Sequence, residues 1–300
     1  MKVFAGIVLY KPNKERLHDC LLNILDQFEE IILFDNVGDQ NSLQDANAKI
    51  SYYTENKNQG VAYALNVIFK VAKEKGADWV VTLDQDTIIP VDYRRKCEKL
   101  FGIPNVAIIA PQVIDKRRPY FKAIVRNEFF IDIDYCITSA SCTNINIWEK
   151  LGGFDEWLFI DFVDGDYCKR IKIEGYRILQ LSDVIIDQEF GDISLKSPWK
   201  VKFFLWLSKV MKNINVAKLS YNKKVKPLRV YYVHRNLLYL NKKYQKHGGI
   251  GYRNFNCNSF GGFLLYFTLP SIVRGGEKIK IVKAVIDGLY DGYNSRPVKY

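Results

Sequence analysis

The sequence has no C-x-x-C pair, and its six cysteines (Cys20, Cys97, Cys136, Cys142, Cys168 and Cys257) share no metal-ligand spacing. That excludes a zinc ribbon and a dithiol redox motif, and it predicts reduced, mostly core thiols of a cytosolic protein. No uninterrupted 18-residue apolar run occurs, which argues against a membrane-spanning helix. The N-terminus does not resemble a signal peptide, since VFAGIVLY runs straight into the charged KPNKER. The same stretch lacks the glycine-rich phosphate loop that nucleotidyltransferases generally need. Acidic residues are scarce at the C-terminal end. Residues 193–300 carry 21 basic and 3 acidic groups, about +18, whereas residues 1–192 carry 23 basic and 30 acidic groups, about −7. An imbalance of that size concerns partners rather than fold, and it suits the last third to an anionic surface.

What is present is an alternation of strand and helix signals in the first half, predicting a mainly parallel sheet flanked by helices. KVFAGIVLY reads as a buried strand, and the following helix carries Leu17, Cys20, Leu21, Ile24, Leu25 and Phe28 on one stripe. EIILFDN and DWVVTLD are further strands, with a helix over QGVAYALNVIFKVAKEKG between them. NVAIIAPQV and EFFIDIDYCITSAS are strand-like, NIWEKLGGFDE is a short helix and turn, and VDGDYCKRIKIEGY starts a helix near Asp164. From about Lys196 the pattern becomes basic and aromatic. With no repeat and no low-complexity linker, the expected division is residues 1–195 and a helical region, 196–300, packing on it.

Ligands of such sheets gather at the carboxyl ends of strands, where Tyr10, Asp35 and Asp84 fall. VVTLDQDTIIP ends a buried run in Asp84 and Asp86. Two close carboxylates away from water repel each other and lose solvation, so a cation between them is expected. Mg²⁺ fits, since it takes oxygen ligands, keeps waters and shares carboxylates with substrate phosphates. D-x-D also arises by chance, one aspartate capping the turn and the other solvated. In FIDFVDGDYCKR, Asp164 and Asp166 stand at a helix start, where a carboxylate either caps the helix or serves as general base. Asp161 lies three residues earlier in the same loop.

The order Y-x-P, FDN, NQGVAYALN, LDQDT, ITSAS, GGFDE and FIDFVDGDYCKR-x(4)-GY resembles the family-2 glycosyltransferases of GT-A fold. The FIDFVD and RVYYVHRN stretches are similar to the bacterial rhamnosyltransferase branch. The resemblance spans roughly residues 3–240 and implies a Rossmann-like α/β fold with a mixed sheet. It implies an enzyme, a metal-dependent inverting glycosyltransferase using Mg²⁺ or Mn²⁺. The donor would be a nucleotide-diphosphate sugar, dTDP-rhamnose by branch likeness, with UDP-linked sugars left open. The acceptor would be a saccharide, lipid-linked, in bacterial cell-surface polysaccharide synthesis.

Residue by residue, the resemblance implies that Asp35 holds the nucleotide base, with the Tyr10–Pro12 turn against it and Asn58 and Gly60 in the neighbouring loop. Asp84 matches the carboxylate near the ribose and metal, and Asp86 the metal ligand. Asp164 matches the catalytic base, although the usual preceding Glu is Val163 here. Asp166 and Arg170 match supporting positions, and Ser139 and Ser141 the sugar and acceptor pocket. Arg229 and Arg235 are candidate diphosphate helpers. Where many relatives carry a histidine that approaches the metal, this chain has Gln188, beside Asp187. His234 is read as a packing or surface residue rather than a ligand.

Trp199, Phe203 and Trp206 interleave with Lys200, Lys202 and Lys209, as in helices that lie in a membrane interface. The expectation is a cytoplasmic protein, peripheral at the inner face of the plasma membrane. A solvated basic face is the plainer reading. Nucleic-acid binding is the rival for the same charge, with no recognised module to support it.

Overall fold

The structure, a computed structural model, describes residues 1–38 and 47–300. Contacts divide the chain into two units, residues 1–114 with 123–187, and residues 115–122 with 188–300.

In the first unit, β1 (Val3–Leu9), β2 (Ile31–Asp35), β3 (Ile50–Thr54) and β4 (Trp79–Asp84) run parallel in the order β3-β2-β1-β4. Helix α1 (Lys14–Ile24) follows β1. Its start is capped by Asn13, whose side chain accepts from Arg16 N, and it buries Leu17, Cys20, Leu21 and Ile24, one face at helical spacing. Helix α2 (Val61–Glu74) precedes β4 and buries Ala62, Ala64, Leu65, Ile68, Phe69 and Ala72. β1, β2 and β4 are apolar on both faces, as strands covered by helices must be. After α3 (Tyr93–Glu98) come β5 (Val106–Ile114), β6 (Phe130–Ile133), β7 (Ser141–Asn144), α4 (Ile145–Lys150), α5 (Val163–Ile173) and β8 (Arg177–Asp187). The full order is β3-β2-β1-β4-β7-β5-β8-β6, with β7 antiparallel to β4 and β5, and β6 antiparallel to β8.

The sheet is therefore mixed. EFFIDIDYCITSAS is not one strand: pairing covers Phe130–Ile133 and resumes only at Ser141, and residues 134–140 leave the sheet between them. β3 and the long β8 had no place in the reading of the sequence. The thiols of all six cysteines are free, and five are buried.

In the second unit, β9 (Ile193–Leu195) pairs antiparallel with β10 (Tyr221–Lys223). Between them lie α6 (Pro198–Val210) and α7 (Ile214–Ala217), and α8 (Pro227–Lys243) follows. Helix α9 (Phe260–Phe263) runs through a π-helical stretch, Leu264–Thr268, into α10 (Leu269–Arg274). Helix α11 (Lys278–Asn294) lies against α8 at close range, because a Cβ on Gly288 would stand 2.5 Å from the Tyr231 carbonyl oxygen and one on Gly292 2.6 Å from that of Arg235. His234 is wholly buried. Its ring contacts the Val230 carbonyl at 2.7 Å and Thr268 Oγ1 at 2.8 Å, and burial depresses its pKa to about 4. It is a core residue. No described helix is long and apolar enough to cross a membrane.

Candidate active site

The strand order turns back at β1. The chain builds β2 and β3 on one side, then returns to place β4 on the other, leaving a crevice at the carboxyl ends. Register puts Asp35 level with Leu9 and Asp84 level with Val8, so the two aspartates flank the end of β1. Gln85 bridges that crevice: its Oε1 accepts from Tyr10 N at 2.9 Å and its Nε2 donates to Tyr10 O at 3.4 Å. Asp35 is 1% exposed. Its carboxylate accepts the Tyr52 hydroxyl at 2.7 Å and the Val37 amide at 2.8 Å.

Asp84 and Asp86 do not share a strand face. β4 ends at Asp84, and a turn closed by Thr87 N donating to Asp84 O at 3.1 Å carries Asp86. Asp84 is exposed and Asp86 half-buried. The positive charge beside Asp86 is Arg16 of α1, whose Nη1 lies 3.2 Å from Asp86 Oδ2. Among the described residues no group of three or more His, Cys, Asp or Glu side chains could hold a metal. An exposed Asp84 and a half-buried Asp86 paired with Arg16 do not make an all-protein cage, and a hard cation held by them would take its remaining ligands from phosphate and water.

Segment 134–140, which left the sheet, ties this rim to α5. At one end the Tyr135 hydroxyl donates to Asp164 Oδ2 at 2.8 Å. At the other, buried Ser139 accepts the Asp84 amide at 3.4 Å and lies 2.9 Å from Thr87 Oγ1. Thr82, Thr138, Ser141, Tyr167, Cys168 and Asp164 line one narrow cleft. Ser139 and Ser141 are each 2% exposed. Ser141 bonds the Ile137 carbonyl, so both hydroxyls brace the segment.

Asp164 is the second residue of α5 and not its cap; Phe162 holds that place without a side-chain hydrogen bond. Asp164 Oδ1 accepts from Gly165 N at 2.8 Å. Asp166 is wholly buried and pairs with Arg170 at 2.8 Å, while Arg170 Nη1 donates to Leu151 O at 2.6 Å. That pair anchors the helix. The preceding loop is strained: Phe159, Asp161 and Phe162 all have φ between 60° and 66°. The Phe159 carbonyl accepts Val61 N at 2.6 Å, which locks the loop to the start of α2. Gly60 stands at that start with φ of 90°, and a Cβ there would meet Phe159 O at 2.6 Å. Asn58 Oδ1 accepts the Gly60 amide at 3.0 Å.

Tyr10, held by Gln85, and Asp84 thus both stand at the crevice, with Asp35 on the other side of β1. The second unit holds Gln188, 8% exposed, and Arg229 and Arg235 on α8. The Arg235 guanidinium stacks 4.6 Å from the Tyr232 ring centroid. Arg16, Tyr52 and Tyr135 escaped the sequence reading. Helical spacing could have flagged Arg16 beside the apolar stripe of α1, but no local pattern marks Tyr135. A larger cleft of about 530 Å³, lined by Lys70, Lys73, Glu149 and Glu156, shares no lining residue with this site. Lys73 and Glu149 pair within it.

Residues 6–167 match the family model described as Glycosyl transferase family 2, a span that holds the carboxyl ends of β1, β2 and β4 and the start of α5. A dTDP-rhamnosyl transferase, RfbF of Shigella flexneri, is 25% identical over 211 residues, 65% of this chain and 71% of that protein. Among solved structures, GalNAc-T7 with UDP, GalNAc and Mn²⁺ superposes with a TM-score of 0.54 at 11% identity. That match covers 90% of this chain, which spans only 57% of the GalNAc-T7 chain. The likeness is one of fold, the GT-A type with its mixed sheet flanked by helices. With more than half of its length matched, the chain belongs to glycosyltransferase family 2.

Proposed function

We propose that the protein transfers a sugar, with inversion, from a nucleotide-diphosphate donor to a saccharide hydroxyl. The observation that carries the reading is the double reach of segment 134–140: Tyr135 bonds Asp164 while Ser139 supports Asp84. A general base is thereby tied to the crevice in which strand-end aspartates would receive a donor. Asp164 would take the proton of the acceptor hydroxyl as its oxygen bonds the anomeric carbon. The bond from that carbon to the diphosphate oxygen breaks on the opposite face, and the nucleoside diphosphate leaves with its electron pair. A carboxylate of ordinary basicity suffices, because the hydroxyl turns acidic only as the new bond forms.

Asp35 and the Tyr10–Pro12 turn would hold the base, with Asn58 and Gly60 shaping the adjoining loop. Asp84 and Asp86 would hold a Mg²⁺ or Mn²⁺ ion, whose charge offsets that of the departing diphosphate when bound. Arg16, beside Asp86, is a candidate phosphate contact. RfbF supports dTDP-rhamnose as donor.

The acceptor is proposed to be lipid-linked, with α6 as the docking element. No residue of α6 is buried, and Trp199, Phe203, Trp206 and Val210, 66%, 47%, 59% and 60% exposed, form a stripe at i, i+4, i+7 and i+11. Lys200, Lys202 and Lys209 flank it, as in interfacial helices. Incubation with dTDP-rhamnose or UDP-sugars, Mn²⁺ and lipid-linked saccharides should yield a glycosylated product from one donor class. Absence of both transfer and donor hydrolysis with every donor would refute the enzyme reading. Failure to co-sediment with anionic vesicles at low salt would remove the docking role.

A further inference from the structure

Helix α11 has two apolar faces. Ile281, Ala284, Val285, Gly288 and Gly292 are buried, and the first three pack with Val230 of α8. Turned away from that face, Ile279, Val282, Ile286, Tyr290 and Tyr293 are 87%, 39%, 60%, 68% and 73% exposed. Their positions, i, i+3, i+7, i+11 and i+14, are those of the seam between two packed helices. The stripe runs nearly the whole helix, about 21 Å at 1.5 Å per residue. A helix that meets only solvent on its outer face carries polar residues there.

The charges beside the stripe are sorted along the helix. Lys278, Lys280 and Lys283 occupy its first half, and Asp287 and Asp291 its second. That order opposes the helix dipole, which favours acidic residues at the start and basic ones at the end, so it does not serve the isolated helix. It serves a reversed neighbour, because the basic half of one copy then meets the acidic half of the other. Lys283 and Asp287 lie on one flank, roughly 60° and 100° round from Ile286. A two-fold axis crossing the helix pair at Ile286 keeps that flank on the same side of both copies. Ile279 then lies level with the partner's Tyr293, and Val282 with the partner's Tyr290. Lys283 falls about 3 Å along the helix from the level of the partner's Asp287. Lys280, which also pairs with Glu277, and Asp291, which accepts the Tyr231 hydroxyl at 2.6 Å, lie farther round the same flank. A parallel pair would instead set the two basic halves level with each other.

We propose that α11 is the contact through which two copies of this chain associate, antiparallel and two-fold symmetric. A lipid surface is the other occupant an apolar stripe could take. It suits α6, whose charged residues are all lysines, whereas Asp287 and Asp291 of α11 would face anionic headgroups. Tyr290 and Tyr293 supply contact area at little cost in side-chain entropy. The close approach of Gly288 and Gly292 to α8 fixes the helix, so the stripe is presented without rearrangement. Helix α11 belongs wholly to the second unit, and the pairing does not depend on sugar transfer.

The test is sedimentation velocity of the whole chain, without detergent, at loading concentrations of roughly 1–100 μM. The wild type should pass reversibly from monomer to dimer over that range. Ile286→Glu sets two carboxylates at the axis and should stay monomeric throughout. Lys283→Asp and Asp287→Lys should each weaken association roughly tenfold or more, since each turns two attractive contacts into repulsive ones. An equimolar mixture of those two variants should regain wild-type association, because every contact between positions 283 and 287 across the axis then joins opposite charges. All three positions are exposed, so each variant should keep the far-UV circular dichroism of the wild type, which separates a lost contact from a lost fold. Dimers that survive Ile286→Glu would place the contact elsewhere, and a mixture no better than its components would exclude the antiparallel pairing. Either result overturns the proposal. A wild type that stays monomeric overturns it too, and loss of co-sedimentation with anionic vesicles in Ile286→Glu would then assign the stripe to a lipid surface.

Discussion

The Tyr135 hydroxyl donates a 2.8 Å hydrogen bond to Asp164 Oδ2, so a residue from the stretch that leaves the sheet orients the carboxylate at the start of α5. Desolvation and then the Asp164 charge push the Tyr135 hydroxyl well above its ordinary range, although 40% of the residue's surface stays exposed. The tyrosine therefore keeps its proton and donates at any working pH.

Asp164→Asn is expected to lower kcat by orders of magnitude while donor affinity persists. Tyr135→Phe should lower kcat about tenfold, since a hydrogen bond to a charged group is worth roughly 1.5–3 kcal/mol. It should also move the acidic limb of the pH–rate profile upward, because the carboxylate loses a donor that favours its charged form. An unshifted profile would leave Tyr135 a packing role only.

Arg16 competes with any cation for the Asp86 carboxylate. Arg16→Ala should tighten Mn²⁺ binding in the absence of donor by a few-fold, in keeping with an exposed pair worth up to about 1 kcal/mol. Asp86→Ala should abolish the cation-dependent part of donor affinity. Calorimetry with and without chelator reads both.

Gly60 allows the turn into α2 to pass under Phe159 with φ of 90°. Gly60→Ala adds a methyl group where no space exists and favours the wrong backbone region, at a cost of about 2–3 kcal/mol. A Tm lower by several degrees, with donor affinity weakened alongside, is the expected result.

Asp166 and Arg170 form a buried pair, so removing one charge strands the other. Asp166→Ala should destabilise the protein by roughly 3–5 kcal/mol, and Asp166→Leu/Arg170→Met should recover much of that. Urea unfolding of the two variants decides between this anchoring role and a direct part in the chemistry.

His234 is buried neutral, its pKa depressed to about 4 by burial. Because the unfolded chain protonates this ring near pH 6.5, stability present above that pH is lost as pH falls toward 4. The loss is on the order of 3 kcal/mol. Denaturant unfolding at pH 7 and pH 5 should show a smaller difference in His234→Gln than in the wild type.

Much of the crevice was legible in the chain. The strand ending in Asp35 carries an uninterrupted apolar run, that ending in Asp84 one broken only by Thr82, and helix stripes such as Leu17, Cys20, Leu21 and Ile24 repeat at 3.6 residues, so local periodicity exposes both. The strand over 50–54 carries no apolar alternation, because ISYYT is half-buried throughout. β8 was missed because its Arg177–Asp187 segment mixes serine, glutamine and aspartate with its core residues.

Sequence alone determined three of the four strands in the parallel half of the sheet, the aspartates at the ends of two of them and the charge division, because apolar period and composition are properties of neighbours in the chain. Tertiary structure decided the rest. Arg16 reaches Asp86 across 70 residues, Tyr135 reaches Asp164 across 29, and Arg118 reaches the Phe190 carbonyl across 72. Such pairings follow from strand order and from where a loop leaves the sheet, and no local pattern encodes them.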